Sequence, residues 1–278
     1  MASNLKTNLV IQQPAVMPSV TVQGAYEPFD LQVGRTQIAG HTNVQIFGYS
    51  AAVGSTALGP LWEGLTSSGG NYVYPGSALQ MTLVSTNNAD TQTVQVQGLD
   101  ANYNLLSEYV VLTGTTGVTT VNSYFRINGL YITNGINAGT ITCKNSTNLY
   151  AQINAGIGQT QMSLYTVPNG YTFYLTYVQA DSSIGFTSSN YMIFSEYNKF
   201  NNSVTGDNQN GYIINYGGNS TLLSQSPFVQ TLNIPYIIPL AHTGGTDIQF
   251  QVKANTGSPF SAGLFAGGYL IKNDGQSA

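Results

Sequence analysis

Apolar and polar residues alternate with a period of two along most of this chain, and no long capped segment repeats at 3.6. TQTVQVQGL (91–99) sets Val94 and Val96 on one face and Thr93, Gln95 and Gln97 on the other, as successive strand side chains must be. Turn chemistry at Leu99-Asp100-Ala101-Asn102 follows, and LLSEYVVLTG returns as the partner strand, ending at Gly114. SYFRINGLYIT (123–133) contains Asn128-Gly129, which reads either as a hairpin turn or as a bulge within one strand; the bulge is the preferred reading. DIQFQVKA points Ile248, Phe250, Val252 and Ala254 inward, and GGYLIKN supplies a further strand. These patterns predict an all-β chain.

One stretch sharpens the question of what the strands face. In LYTVPNGYTFYLTYV (164–178), Pro168 and Asn169 suit the second and third positions of a turn and Gly170 takes the positive φ that closes a hairpin. Beyond it, Tyr171, Phe173, Leu175 and Tyr177 share one face, and Thr172, Tyr174, Thr176 and Val178 the other. Neither face carries a charge. One is expected in a core and the other against protein, so Tyr171, Tyr174 and Tyr177 are candidate subunit contacts, with plain core packing as the alternative.

The punctuation suggests three parts. Pro14, Pro18 and Pro28 space residues 1–35 into short apolar steps, which supports an extended N-terminal arm lying on a neighbouring subunit or a larger lattice. Residues 36–150 and 151–278 are expected to form two β-sandwich domains, Ig-like or jelly-roll-like, the second richer in aromatic strands. Its 181–226 region is dense in Asn, Ser and Gly and reads as long decorated loops. Tyr191, Tyr197, Phe200, Tyr212 and Tyr216 within it are either glycan contacts or core residues of short strands.

Composition narrows the function. Charged residues make up 6% of the 278, against about 25% in an average soluble domain, so amides and hydroxyls must wet the surface. Such a surface lacks the ionic repulsion that keeps monomers apart and favours a permanently assembled subunit. A net charge of −4 with seven scattered basic residues argues against nucleic acid. No apolar leader and no run long enough to span a bilayer is seen, so neither secretion nor a membrane is expected.

Candidate chemistry is thin. Cys143 lies in an alternating strand and is expected to be an inert buried thiol. His41 and His242 sit in turn-like contexts without metal spacing, and no nucleophile elbow or phosphate loop occurs, so no cofactor, metal or catalytic residue is assigned. Among the eleven acids, Glu27, Asp30, Glu63, Glu108, Asp181 and Glu196 could meet in pairs, whereas Asp90, Asp100 and Asp207 suit turns.

An ordered set of segments carries a resemblance: FGYS (47–50), LWEG (61–64), ALQMTLVSTNNADT (78–91), VQVQGLDANYN (94–104), SEYVVLTGTTGVTT (107–120), SYFRINGLYI (123–132), NAGTIT (137–142) and GQTQMSLYTVPNGYTFYLT (158–176). Over about half its length the chain resembles virion structural proteins of tailed bacteriophages, of the head decoration, cement or knob type. It departs from that pattern in having Gly129 where a basic or bulky residue is usual and a short NNADTQT where a longer insert often follows Asp90. The resemblance implies a non-enzymatic homotrimer on the capsid exterior, made in the host cytoplasm, with the major capsid protein as partner. The absence of a candidate for a long spine helix sets the chain apart from the major capsid protein itself. Host-surface glycan binding and a tail or neck location are the other expectations.

Overall fold

The computed structural model describes residues 27–54, 57–62, 64, 72–146, 148–182, 191–200, 208–215, 230–255 and 260–273, with only the backbone described at 191, 199, 200, 208–215 and 230. Over these residues the chain is all-β, with antiparallel sheets and one short helix. The elements are α1 (Phe29–Gly34), β1 (His41–Val53), β2 (Gly59–Pro60), β3 (Leu79–Ser85), β4 (Thr93–Leu99), β5 (Leu105–Val111), β6 (Val118–Tyr124), β7 (Arg126–Ile132) and β8 (Ile141–Asn145). They continue with β9 (Asn148–Ile153), β10 (Leu164–Thr166), β11 (Tyr171–Ser182), β12 (Tyr191–Phe200), β13 (Asn208–Asn215), β14 (Gln230–Thr243), β15 (Thr246–Ala254) and β16 (Phe260–Lys272).

Four sheets result, in the orders β1-β16-β11-β14, β10-β15-β12-β13 with β2 beside β15, β6-β3-β8-β9, and β5-β4-β7. Two hydrophobic clusters fill them. One gathers Ile46, Phe173, Leu175, Phe194, Phe250 and Leu264 from the first two sheets. The other gathers Met81, Leu83, Val94, Val96, Leu130 and Ile141 from the last two.

The chain does not divide simply into an early and a late half. β1 pairs along its length with β16, from His41 opposite Ile271 to Val53 opposite Phe260, and β2 pairs with β15. Residues 41–60 thus belong with the strands after 164, and β3 to β9 form a unit set between them. The alternation of β1 buries Ile46, Gly48 and Ser50, a pattern that fixes which face is inward but not which strand lies alongside.

Several local expectations hold. β4 and β5 form the hairpin, Thr93 opposite Val111 and Leu99 opposite Leu105, and Asp100 Oδ1 closes its turn by accepting from the Asn102 and Asn104 amides at 2.8 and 2.9 Å. Asn128 is the extra residue of a bulge in β7: Ile127 faces Gly98 and Gly129 faces Gln97. β15 buries Ile248, Phe250, Val252 and Ala254. Cys143, in β8, is buried.

Others are corrected. The turn after β10 closes no hairpin, because β10 pairs with β15 while β11 lies between β14 and β16 in another sheet. The bond from the Tyr171 amide to the Pro168 carbonyl, 3.3 Å, makes Pro168 the first residue of the turn, with Gly170 at φ 76°. The single alternation of β11 also breaks: a bulge at Thr176 leaves Phe173 and Leu175 inside, then turns Val178 and Ala180 inward and Tyr177 outward. β16 accommodates it with Gly267 and Gly268; a Cβ at 268 would overlap the Tyr174 carbonyl oxygen. Within the expected arm, residues 29–34 are helical. Pro28 supplies a preset φ of −54° and its carbonyl accepts from the Leu31 and Gln32 amides at 3.0 and 3.1 Å, so the proline read as extending the chain opens a helical turn.

Candidate functional site

The two units meet around a buried charge pair that the sequence reading did not single out. Arg126, first residue of β7, donates from Nε and Nη2 to the two carboxylate oxygens of Asp247 in β15, at 2.8 and 3.0 Å, and both side chains are sealed from solvent. Nη1 donates to the Phe125 carbonyl at 2.8 Å, and Thr166 Oγ1 donates to Asp247 Oδ1 at 2.6 Å. The guanidinium lies 4.1 Å from the Phe125 ring centroid, 4.5 Å from Tyr74 and 5.5 Å from Tyr103. Burial would lower its pKa, but the hydrogen bond and charge of Asp247 outweigh that and raise it. The bulged Asn128 adds a second tie: its amide donates to the Thr166 carbonyl and accepts from the Thr166 amide, both at 2.9 Å, as a strand residue would.

Beside this junction lies a cleft of about 420 Å³. One wall is β1 from Thr42 to Phe47 with Tyr171; the other is built from β4, β5 and β7 through Gln97, Ser107 and Tyr131. Ile46, Met162, Leu164 and Leu270 supply its apolar floor. Gly129 matters here, since the Tyr131 ring lies where a Cβ at 129 would stand.

Outward surfaces carry unusual apolar exposure. Among the described strands β14 lies at a sheet edge, and four of its residues, Tyr236 to Pro239, bulge opposite Thr176 alone; at the tip Ile237 is 98% exposed and Ile238 81%. On β5, also an edge, Leu105, Tyr109 and Val111 point outward together, and on neighbouring β6 Val121 is 86% exposed. Glu108 ties these two edges by accepting from the Asn122 amide and side chain at 3.0 and 2.8 Å.

The sequence-selected residues distribute as follows. Pro14, Pro18, Glu63, Asp207 and Tyr216 lie outside the described residues, and Pro28 precedes α1. Tyr171 lines the cleft; Tyr174 and Tyr177 are half-buried on the outer side of their sheet, where Tyr177 meets Phe265 at 5.2 Å and Phe265 stacks on Phe47 at 4.8 Å. Tyr191, Tyr197 and Phe200 occupy β12 and Tyr212 occupies β13, so all four are strand positions, with Tyr197 half-buried. His242 is no turn residue: it sits buried in β14, stacked on Phe173, with Nε2 3.1 Å from Glu196 Oε1 but not aligned as a hydrogen bond. His41 opens β1 and is edged by Phe29. Of the other acids, Asp30 bonds the Tyr269 hydroxyl, Asp181 accepts from the Gly263 amide at 3.0 Å and Glu27 pairs with Arg35. Burial pushes the Cys143 thiol up to about 12.

Among the described residues no group of three or more His, Cys, Asp or Glu side chains converges, and no helix is long and apolar enough to cross a membrane. The signal for Arg126 was available in SYFRINGLYI, where a lone charge inside an apolar strand must find a counter-charge when buried; Asp247 opens DIQFQVKA, which also carries Lys253. Their separation in sequence concealed the pairing.

No family model matches the chain, and no curated protein does. Among solved structures, that of the Gt strain of infectious bursal disease virus is similar over 90% of this chain and 79% of its own, at 10% identity and a TM-score of 0.26. The VP2 subviral particle of infectious bursal disease virus is similar over 85% and 73%, at 9% identity and the same TM-score.

Proposed function

We propose that the protein is a non-enzymatic virion structural subunit that decorates and stabilises the exterior of a capsid as a cement or knob oligomer, its two clusters being the cores of two β-sandwiches. The near-complete exposure of the Ile237–Ile238 pair on an edge strand, in a chain with 6% charged residues, carries this reading. Scattered apolar side chains are ordinary on a monomer, but adjacent bulky aliphatics held out by a bulge are not. Burying each returns roughly 1.5–3 kcal/mol. The Leu105–Tyr109–Val111 row with Val121 offers a second such surface. A homotrimer uses one for its sister subunits and the other for the major capsid protein, and three weak shell contacts then act together.

The same bulge discourages the wrong assembly. Pro235 precedes it and Pro239 ends it, and proline removes the amide that open-ended strand addition would use, so association runs through side chains.

Size-exclusion chromatography with light scattering tests the proposal. The wild-type chain should run as a trimer at micromolar concentration, and the Ile237→Asp/Ile238→Asp variant as a folded monomer. A monomeric wild type overturns it. Immunogold labelling of virions should then mark the head; label confined to the tail overturns the capsid location.

A further inference from the structure

We infer that the cleft between β1 and the β5-β4-β7 sheet is a binding site for a neutral oligosaccharide. This goes beyond the assembly role, and the site is distinct from the aromatic residues of β12 and β13. Its volume, about 420 Å³, is within the range of small-ligand sites, and it lies where two units meet.

The lining selects the chemistry. Among the described residues no Lys, Arg, His, Asp or Glu contributes to it, so an anionic or cationic ligand would be desolvated without a counter-charge from them. The amide of Gln97 and the hydroxyls of Tyr131, Tyr165 and Tyr171 belong to residues that line the cleft, and none makes a side-chain hydrogen bond to another described residue. A purely apolar guest would cover several of these groups without pairing them. Burial raises the phenol pKa of Tyr131 and Tyr165, so both remain neutral donors. An amide that donates and accepts in one plane matches adjacent sugar hydroxyls, while the floor of Ile46, Met162, Leu164 and Leu270 suits the C–H face of a pyranose.

The walls are also held in place before any ligand arrives. Arg126–Asp247 and Asn128–Thr166 fix β7 against the sheet of β10 and β15, and the Thr160 amide donates to the Leu130 carbonyl at 3.0 Å. Little ordering of the site is then needed on binding.

Saturation-transfer NMR on the full-length protein tests this, using neutral tri- and tetrasaccharides of glucose, galactose, mannose and N-acetylhexosamines beside sialylated and sulfated counterparts and an uncharged tripeptide. At least one neutral sugar should receive saturation while the acidic ones and the peptide do not. Gln97→Ala and Tyr131→Phe, the second keeping the ring that covers Gly129, should each weaken that sugar about three- to tenfold. Absence of any neutral-sugar signal, equal or better binding of the acidic sugars or the peptide, or undiminished binding by both variants overturns the inference.

Discussion

Arg126 shows how much one residue carries in a chain with few charges. Its guanidinium is saturated by Asp247, the Phe125 carbonyl and three rings, so removing one partner strands the other in a dry site. Arg126→Met or Asp247→Asn should each lower stability by about 3–5 kcal/mol in urea unfolding, whereas the pair Arg126→Met/Asp247→Leu should recover most of that loss. Asp90 is the second such residue. It accepts from Ser85 Oγ at 2.5 Å and from the Ala138 and Gly139 amides at 2.7 and 2.8 Å. Burial would raise its pKa, but those hydrogen bonds outweigh it and hold the carboxyl below its usual value. A depressed folded-state pKa means the stabilisation is complete above the unfolded value of about 3.9 and disappears as pH falls through the folded one. Asp90→Asn should therefore cost about 1.5–3 kcal/mol at neutral pH, with thermal unfolding showing the gap to wild type closing below about pH 4. Cys143, buried with a raised pKa, should resist iodoacetamide in the native protein and react after denaturation.

At the scale of elements, bulges decide what faces outward. The bulge at Thr176 turns Tyr177 out and the one at Asn128 aims an amide across the junction. Gly268 marks the first: Gly268→Ala should destabilise by about 2 kcal/mol or more, because the new methyl meets a backbone carbonyl that cannot swing aside. Strand existence was legible from period-two alternation, as β4, β5 and β15 illustrate. The Asn128 bulge was legible too, from an Asn-Gly pair inside an apolar run. The Thr176 bulge was not, since Thr-Tyr-Val continues the alternation and only the Gly-Gly of β16, far along the chain, makes room for the slip.

For the molecule as a whole, alternation fixed faces but left partners open. Pro168-Asn169-Gly170 has the composition of a hairpin turn, yet it joins two sheets, β10 pairing with β15 and β11 lying between β14 and β16. The pairing at the junction was hidden for the same reason: Arg126 and Asp247 come from different units. A molecule so poor in ions should assemble through apolar contact, so raising salt from about 0.05 to about 0.5 M should leave the light-scattering mass unchanged.

The pairing of β1 with β16 has a consequence for biosynthesis. As the ribosome extrudes the chain, β1 emerges early and has no sister strand until everything between has been made. The β3–β9 unit can condense in that interval, with β1 still unpaired and in the reach of chaperones. Pulse-chase proteolysis of stalled nascent chains should accordingly find the central unit protected before the flanking one, and chains stopped ahead of residue 260 should leave β1 cleavable.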